Sequence, residues 1–185
     1  MVPRSPLPIM AMVLFLPGCA STGSQESPPP PLAEAEMVDT AGSPVGTVRF
    51  LPIFDDGQLR LQGTLEMPGI SPGLHGFHIH ETGVCQGPDF SSAGGHFNPW
   101  DAPHGPPDAP LDARHAGDLG NLNVALDGTV QVDRVVRVAE EGEEPSIVIG
   151  RALVLHADED DFRTQPDGAA GDRIACGVIQ EAGSP

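Results

Sequence analysis

Six of the chain's seven histidines fall within residues 73–118: His75, His78, His80, His96, His104 and His115. Cys85 and Asp118 lie in the same stretch, and the seventh histidine, His156, closes the apolar run RALVLH. Imidazole suits late transition metals such as zinc and copper. The chemistry expected of so concentrated a set is therefore a metal centre.

Spacing turns the set into geometry. LHGFHIHE alternates apolar and polar residues, which predicts a strand. His78 and His80, at i and i+2, then point to the same side of the sheet. Two such rings offer half of a tetragonal copper site, and His156, at the end of a second strand-like run, could deliver a third. From Glu81 to Gly120 run roughly forty residues rich in Gly, Pro and Asp, with almost no periodicity; so long a loop needs ties. His96, His104, His115 and Asp118 are the available ones, and three imidazoles with one carboxylate form a closed tetrahedral zinc set. His75 is offset by three residues from His78 and faces the other way. A lone histidine in an apolar strand is ordinarily a hydrogen-bonded core residue, and His75 is expected to bond backbone and pin the loop. Two four-ligand sites then need one histidine more than the six remaining can supply. The shortfall disappears if one ring bridges both metals, and His96, in the middle of the ligand order, is the candidate.

GFHIHETG, SSAGGHFNPW, HAGDLGN, RALVLHADEDDF and GDRIACGVI together resemble copper/zinc superoxide dismutase, five blocks in order within residues 32–179. The resemblance implies copper on His78, His80, His96 and His156, and zinc on His96, His104, His115 and Asp118. It implies a disulfide between Cys85 and Cys176, and a substrate-guiding arginine at Arg173. It also implies that an aspartate after His156 links a copper histidine to a zinc histidine; Asp160 matches that position, with Asp158 and Asp161 as neighbouring alternatives. The activity implied is disproportionation of the superoxide anion, with His96 supplying a proton. Two other classes stand beside it: a copper/zinc-binding envelope protein without turnover, and a structural module reusing the barrel. Arg173 speaks against the first and the complete ligand set against the second. A homodimer is compatible with the resemblance.

The chain has 185 residues and a net charge of -17, which argues against nucleic acid or anionic lipid as partners. All nine basic side chains are arginines. With so negative a field, attraction of an anionic substrate must be local. Residues 1–18 read as an export signal: Arg4 precedes a short apolar core, Ile9 to Leu16. LPGC at Leu16 to Cys19 resembles a bacterial lipoprotein cleavage box that would leave lipid on Cys19, although Pro17 is an unusual occupant; the alternative is an ordinary secretory signal cut later. Residues 19–31 are rich in Ser and Pro and read as a tether. Three cysteines leave one odd. Lipidating Cys19 leaves Cys85 and Cys176 to pair in an oxidising compartment. The expected location is the cell envelope or periplasm, with membrane contact through the Cys19 lipid alone.

The remaining residues, 32–185, form one domain that must position these groups. Eight strands are expected: Leu32–Asp39, Val45–Phe54, Gln58–Met67, Gly73–Glu81, Asn121–Leu126, Thr129–Val138, Ser146–His156 and Arg173–Glu181. Ala33 to Glu36 would equally suit a helix. Asp127-Gly128 between two alternating runs signals a hairpin. The class expected is all-β, a sandwich or barrel. The resemblance sharpens this to an eight-stranded Greek-key barrel, immunoglobulin-like, with two long loops, of which Ala157 to Asp172 walls the copper channel.

Overall fold

The computed structural model describes residues 30–53 and 57–183. The export signal, the LPGC box, Cys19 and nearly all of the tether lie outside the described residues, as do Phe54, Asp55 and Asp56. Eight strands follow in order: β1 Ala33–Asp39, β2 Pro44–Ile53, β3 Gln58–Glu66, β4 Gly73–His80, β5 Asp118–Val124, β6 Thr129–Arg137, β7 Ala152–His156 and β8 Arg173–Glu181. They close into an antiparallel barrel in the order β1-β2-β3-β6-β5-β4-β7-β8. The all-β, eight-stranded expectation holds. Closure covers the sheet edges among the described residues except along β5 and β6, which pair only at Val124–Val130.

Period-two burial explains which residues fill the barrel. In β1, Ala33, Ala35 and Met37 are buried while Glu34 and Glu36 are not. That alternation, with pairing to β2 and β8 on either side, settles Ala33 to Glu36 as strand. Phe50, Leu61, Phe77, Ile79, Leu153 and Leu155 meet inside with no exposed surface. Each such side chain contributes about 1.5–3 kcal/mol of burial. A second cluster forms where Phe90 and Ala93 of the loop after β4 pack on Ala152 and Val154 of β7 and Cys176 of β8. The Asp127-Gly128 turn joins β5 to β6 as expected. Gly128 has φ +85°, and an added Cβ would lie 2.6 Å from Met67 O, so the turn requires glycine.

Most strand ends fall within two residues of the expected ones, and two starts differ by three residues or more. The strand expected over Ser146–His156 begins only at Ala152, and Pro145–Val148 is a short 3-10 turn. The apolar residues that suggested a strand are still used, since Val148 is buried and Ile147 and Ile149 pack on the core. The fifth strand starts at Asp118 rather than Asn121, which places Asp118 on the sheet itself. No helix among the described residues is long and apolar enough to cross a membrane.

Candidate metal centre

β4 is buried from His75 to His80 because both of its faces are covered. Phe77 and Ile79 point into the core, so His78 and His80 point outward beneath the loop 81–117. β7 lies beside β4, with His78 opposite Val154 and Phe77 opposite Leu155, and brings His156 to the same end. The loop is laced onto β4 by backbone bonds: Glu81 N to Gly95 O at 2.9 Å, Phe97 N to Ile79 O at 2.8 Å and Ile79 N to Gly117 O at 2.9 Å. This lacing carries His96 against His80. His75 faces away, with Nδ1 2.9 Å from His156 O and Nε2 2.9 Å from Ser71 O, the backbone role expected of it.

The structure gathers the expected residues into two buried groups, each able to hold a metal ion: His78, His80, His96 and His156, and His96, His104, His115 and Asp118. His96 belongs to both. In the second group Asp118 Oδ1 lies 2.8, 3.0 and 3.1 Å from Nδ1 of His96, His104 and His115. His96 and His115 Nδ1 are 3.4 Å apart. Ligand bonds of ~2.0 Å to a tetrahedral zinc imply edges of about 3.3 Å, so the set fits zinc. In the first group His80 Nε2 and His156 Nε2 face each other at 3.2 Å. His78 Nδ1 and His96 Nε2 are buried with no hydrogen-bond partner. Buried polar atoms without partners are rare and call for an explanation. Four nitrogens converging on one point, two of them orphaned, fit a copper ion.

The far nitrogen of most rings is fixed from outside. His80 Nδ1 donates to Gly94 O at 2.9 Å and His156 Nδ1 to Gly171 O at 3.2 Å. Asp160 accepts from His78 Nε2 at 2.8 Å on one oxygen and from His104 Nε2 at 2.9 Å on the other. Among Asp158, Asp160 and Asp161, it is Asp160 that spans the two groups. Such acceptors fix the tautomer and aim the remaining lone pair.

A cavity of about 480 Å³ opens to the first group, lined by His80, His96, His156, Asn98, Asp167 and Arg173 among others. Arg173 pairs with His156 across β7 and β8. Its guanidinium donates to Phe90 O and Gly94 O, both at 2.6 Å, so it is pinned beside the group rather than free to swing. Asp167 shares the cavity and offsets part of its field. Cys85 and Cys176 are bonded, with Cα atoms 5.6 Å apart, and fasten the loop to β8.

Burial pushes His78 down to about 3 and His156 to about 4, and lowers His80 and His96 in the same direction. Burial alone would lower His104 too, but hydrogen bonds to Asp118 and Asp160 outweigh it and raise the ring to about 9. Burial opposes ionisation of Asp118, yet three histidine bonds hold its carboxyl far below the ordinary range. For the metal-free protein the signs follow from linkage. Rings held below their unfolded value contribute stability that is full above pH ~6.5 and lost as pH falls toward their folded values. His104 contributes stability that is full below ~6.5 and lost as pH rises through about 9. Four lowered rings against one raised ring make the acid side steeper. Thermal melts in chelator should therefore show a maximum near neutrality and a marked fall from pH 6.5 to 4.5. A flat melting temperature across that interval would contradict the assignment.

The sequence reading did not single out four residues that hold the site together. Asn121 bonds the Asp160 backbone with both ends of its amide, at 2.9 and 2.8 Å. Arg151 donates to Glu81 O at 2.6 Å and lies 4.5 Å over the Phe97 ring, touching the neighbours of both His80 and His96. Arg114 is buried and donates to the carbonyls of Ala109, His115 and Arg137. Arg134 donates to Leu119 O and Asn121 O. Arg134 alone left a sequence signal, standing at a core-facing position in the alternating run Val130, Val132, Arg134, Val136.

The family model described as copper/zinc superoxide dismutase matches residues 45–179. The superoxide dismutase [Cu-Zn] of Deinococcus radiodurans is 36% identical over 184 residues, covering 94% of each chain. The extracellular superoxide dismutase [Cu-Zn] of Brugia pahangi is 38% identical over 146 residues, 72% of this chain and 68% of that one. Among solved structures, a double mutant of a SOD-like protein from Bacillus subtilis superposes with a TM-score of 0.66 at 37% identity, covering 80% of this chain and 96% of that one. The matched span contains every histidine of both groups together with Asp118, Asp160 and Arg173, and the chain belongs to the copper/zinc superoxide dismutase family.

Proposed function

We propose that this chain converts two superoxide anions and two protons to dioxygen and hydrogen peroxide. Copper would be held by His78, His80, His96 and His156, and zinc by His96, His104, His115 and Asp118. The observation that carries this reading is the pair of orphaned nitrogens, His78 Nδ1 and His96 Nε2, aimed with two further rings at the floor of a cavity that also holds Arg173. Copper, when bound, supplies the one-electron chemistry, and zinc a fixed charge that holds the loop. His96 presents Nδ1 to the zinc set and Nε2 to the copper set, so Nε2 is the atom that can carry a proton to reduced substrate whenever it is free. Arg173 holds the anion beside His96 and His156 by charge-assisted hydrogen bonds. Superoxide consumption by the metal-loaded chain, set against the chelated form, tests this reading. The competing reading is a metal-binding protein without turnover, supported by the SOD-like name of one structural relative. It leaves the fixed guanidinium in the cavity without a task.

The location proposed is the cell envelope, with lipid on Cys19. Three observations support export: the apolar segment before Cys19, a disulfide that persists in oxidising compartments, and the extracellular name of one relative. Cys19→Ser should move the protein from the membrane fraction to the soluble envelope fraction with its activity intact. Fractionation with activity assays checks this. A wild-type protein that is already soluble, with its mature terminus beyond Cys19, would contradict it.

A further inference from the structure

Val130, Val132 and Val136 are the buried, core-facing residues of β6, and Arg134 stands in the same register. Placing a cation there is costly. Burial lowers its pKa, no carboxylate offsets this, and its Nε has no partner. The guanidinium instead reaches across to β5, donating to Leu119 O and Asn121 O. β3 pairs with β6 along its whole length, from Gln58–Arg137 to Glu66–Thr129. β5 pairs with β6 only at Val124–Val130 among the described residues. Arg134 therefore supplies donors to β5 where the sheet is open. Gly120, between the two carbonyls, has φ +82°, and an added Cβ would lie 2.8 Å from Pro107 and 3.3 Å from Arg134 Nη1.

The stretch so held begins next to Asp118 and ends at Asn121. Asp118 meets three histidines of the second group. Asn121 clamps the backbone of Asp160, whose carboxylate bridges His78 and His104. We propose that Arg134 is a positioning residue for both metal groups: by bonding Leu119 and Asn121 across the open seam, it sets Asp118 through the adjoining Leu119 and Asp160 through Asn121. This rests on the reading that the two groups hold copper and zinc. The seam trades ladder bonds for one two-armed side chain, at the cost of a half-buried charge.

The test uses the full chain and four variants: Arg134→Met, Arg134→Lys, Asn121→Ala and the double Arg134→Met/Asn121→Ala. Zinc affinity is measured by competition with a chromogenic chelator, copper geometry by electron paramagnetic resonance of the copper(II)-loaded protein, and stability by melting in chelator. Arg134→Met should weaken zinc binding about 10–100-fold, the range for partners behind metal ligands. It should also alter the copper spectrum. The metal-free melting temperature should stay near wild type, because removing a half-buried guanidinium that no carboxylate pairs offsets the lost bonds. Arg134→Lys should recover part of both losses. The double variant should be less than additive for copper geometry, since one effect passes through the other. Wild-type zinc affinity and copper spectra in Arg134→Met overturn the proposal while leaving the metal assignment intact. If Arg134→Met does not fold, unchanged metal parameters in Arg134→Lys and Asn121→Ala overturn it equally. A wild-type chain that takes up neither metal overturns the metal assignment and this proposal together.

Discussion

Asp118→Ala is expected to abolish zinc binding at stoichiometric metal and to lower stability more than any other single change at the site. Oδ1 of Asp118 faces three imidazole nitrogens, and Oδ2 accepts from the backbone of Gly105 at 3.1 Å and of His115 at 2.9 Å. Removing the carboxylate therefore breaks five contacts and leaves His104 with a carboxylate on one side only. Breaking a buried charge pair from one side costs about 3–5 kcal/mol. For a chain of this size each kcal/mol moves the melting temperature by roughly 2–4 °C, so a fall on the order of 10 °C is expected. Copper should remain bound, less well ordered, because His78, His80 and His156 sit on β4 and β7 rather than on the loop. Elemental analysis with calorimetry checks both parts. Zinc content and melting temperature equal to wild type would remove Asp118 from the zinc set.

The second large effect is on turnover. Guanidinium offers no lone pair, so replacing Arg173 should leave both metals in place. Arg173→Ala should nevertheless cut the rate by roughly one to two orders of magnitude, within the span for electrostatic steering. The overall charge of -17 repels anions, and Asp167 already opposes Arg173 inside the cavity. Arg173→Lys should recover part of the loss by keeping the charge without the planar fork. That fork matters because two of its donors are committed to Phe90 O and Gly94 O, and Gly94 O also fixes His80. Arg173→Glu should be worst. Rates measured at matched copper and zinc content decide the matter. Equal rates across the series would revive the reading of a metal-binding protein without turnover.

Much of this was legible in the chain. Strand parity alone placed His78 and His80 together and turned His75 away, because a period of two leaves little choice. The need to tie down residues 81–117 singled out His96, His104, His115 and Asp118. The pairing of Cys85 with Cys176, and the expectation that Arg173 guides substrate, came from family resemblance, since nothing local links residues so distant in sequence. The sequence misled where an apolar run has no decisive period. Ser146 to Gly150 looks extended, but Pro145 opens a tight turn that buries Val148. Arg134 was passed over because arginine is read as a surface residue. Its inward position makes sense only once β5 and β6 are seen to part, and strand order is a non-local property that periodicity does not encode.

The central claim is tested most directly by pulse radiolysis of the full chain, loaded with zinc and titrated with copper. Superoxide decay should accelerate in proportion to bound copper up to one equivalent, chelation should abolish the acceleration, and Arg173→Ala should lower the slope without changing the endpoint. Full loading of both sites with decay no faster than that of the chelated protein would contradict the claim.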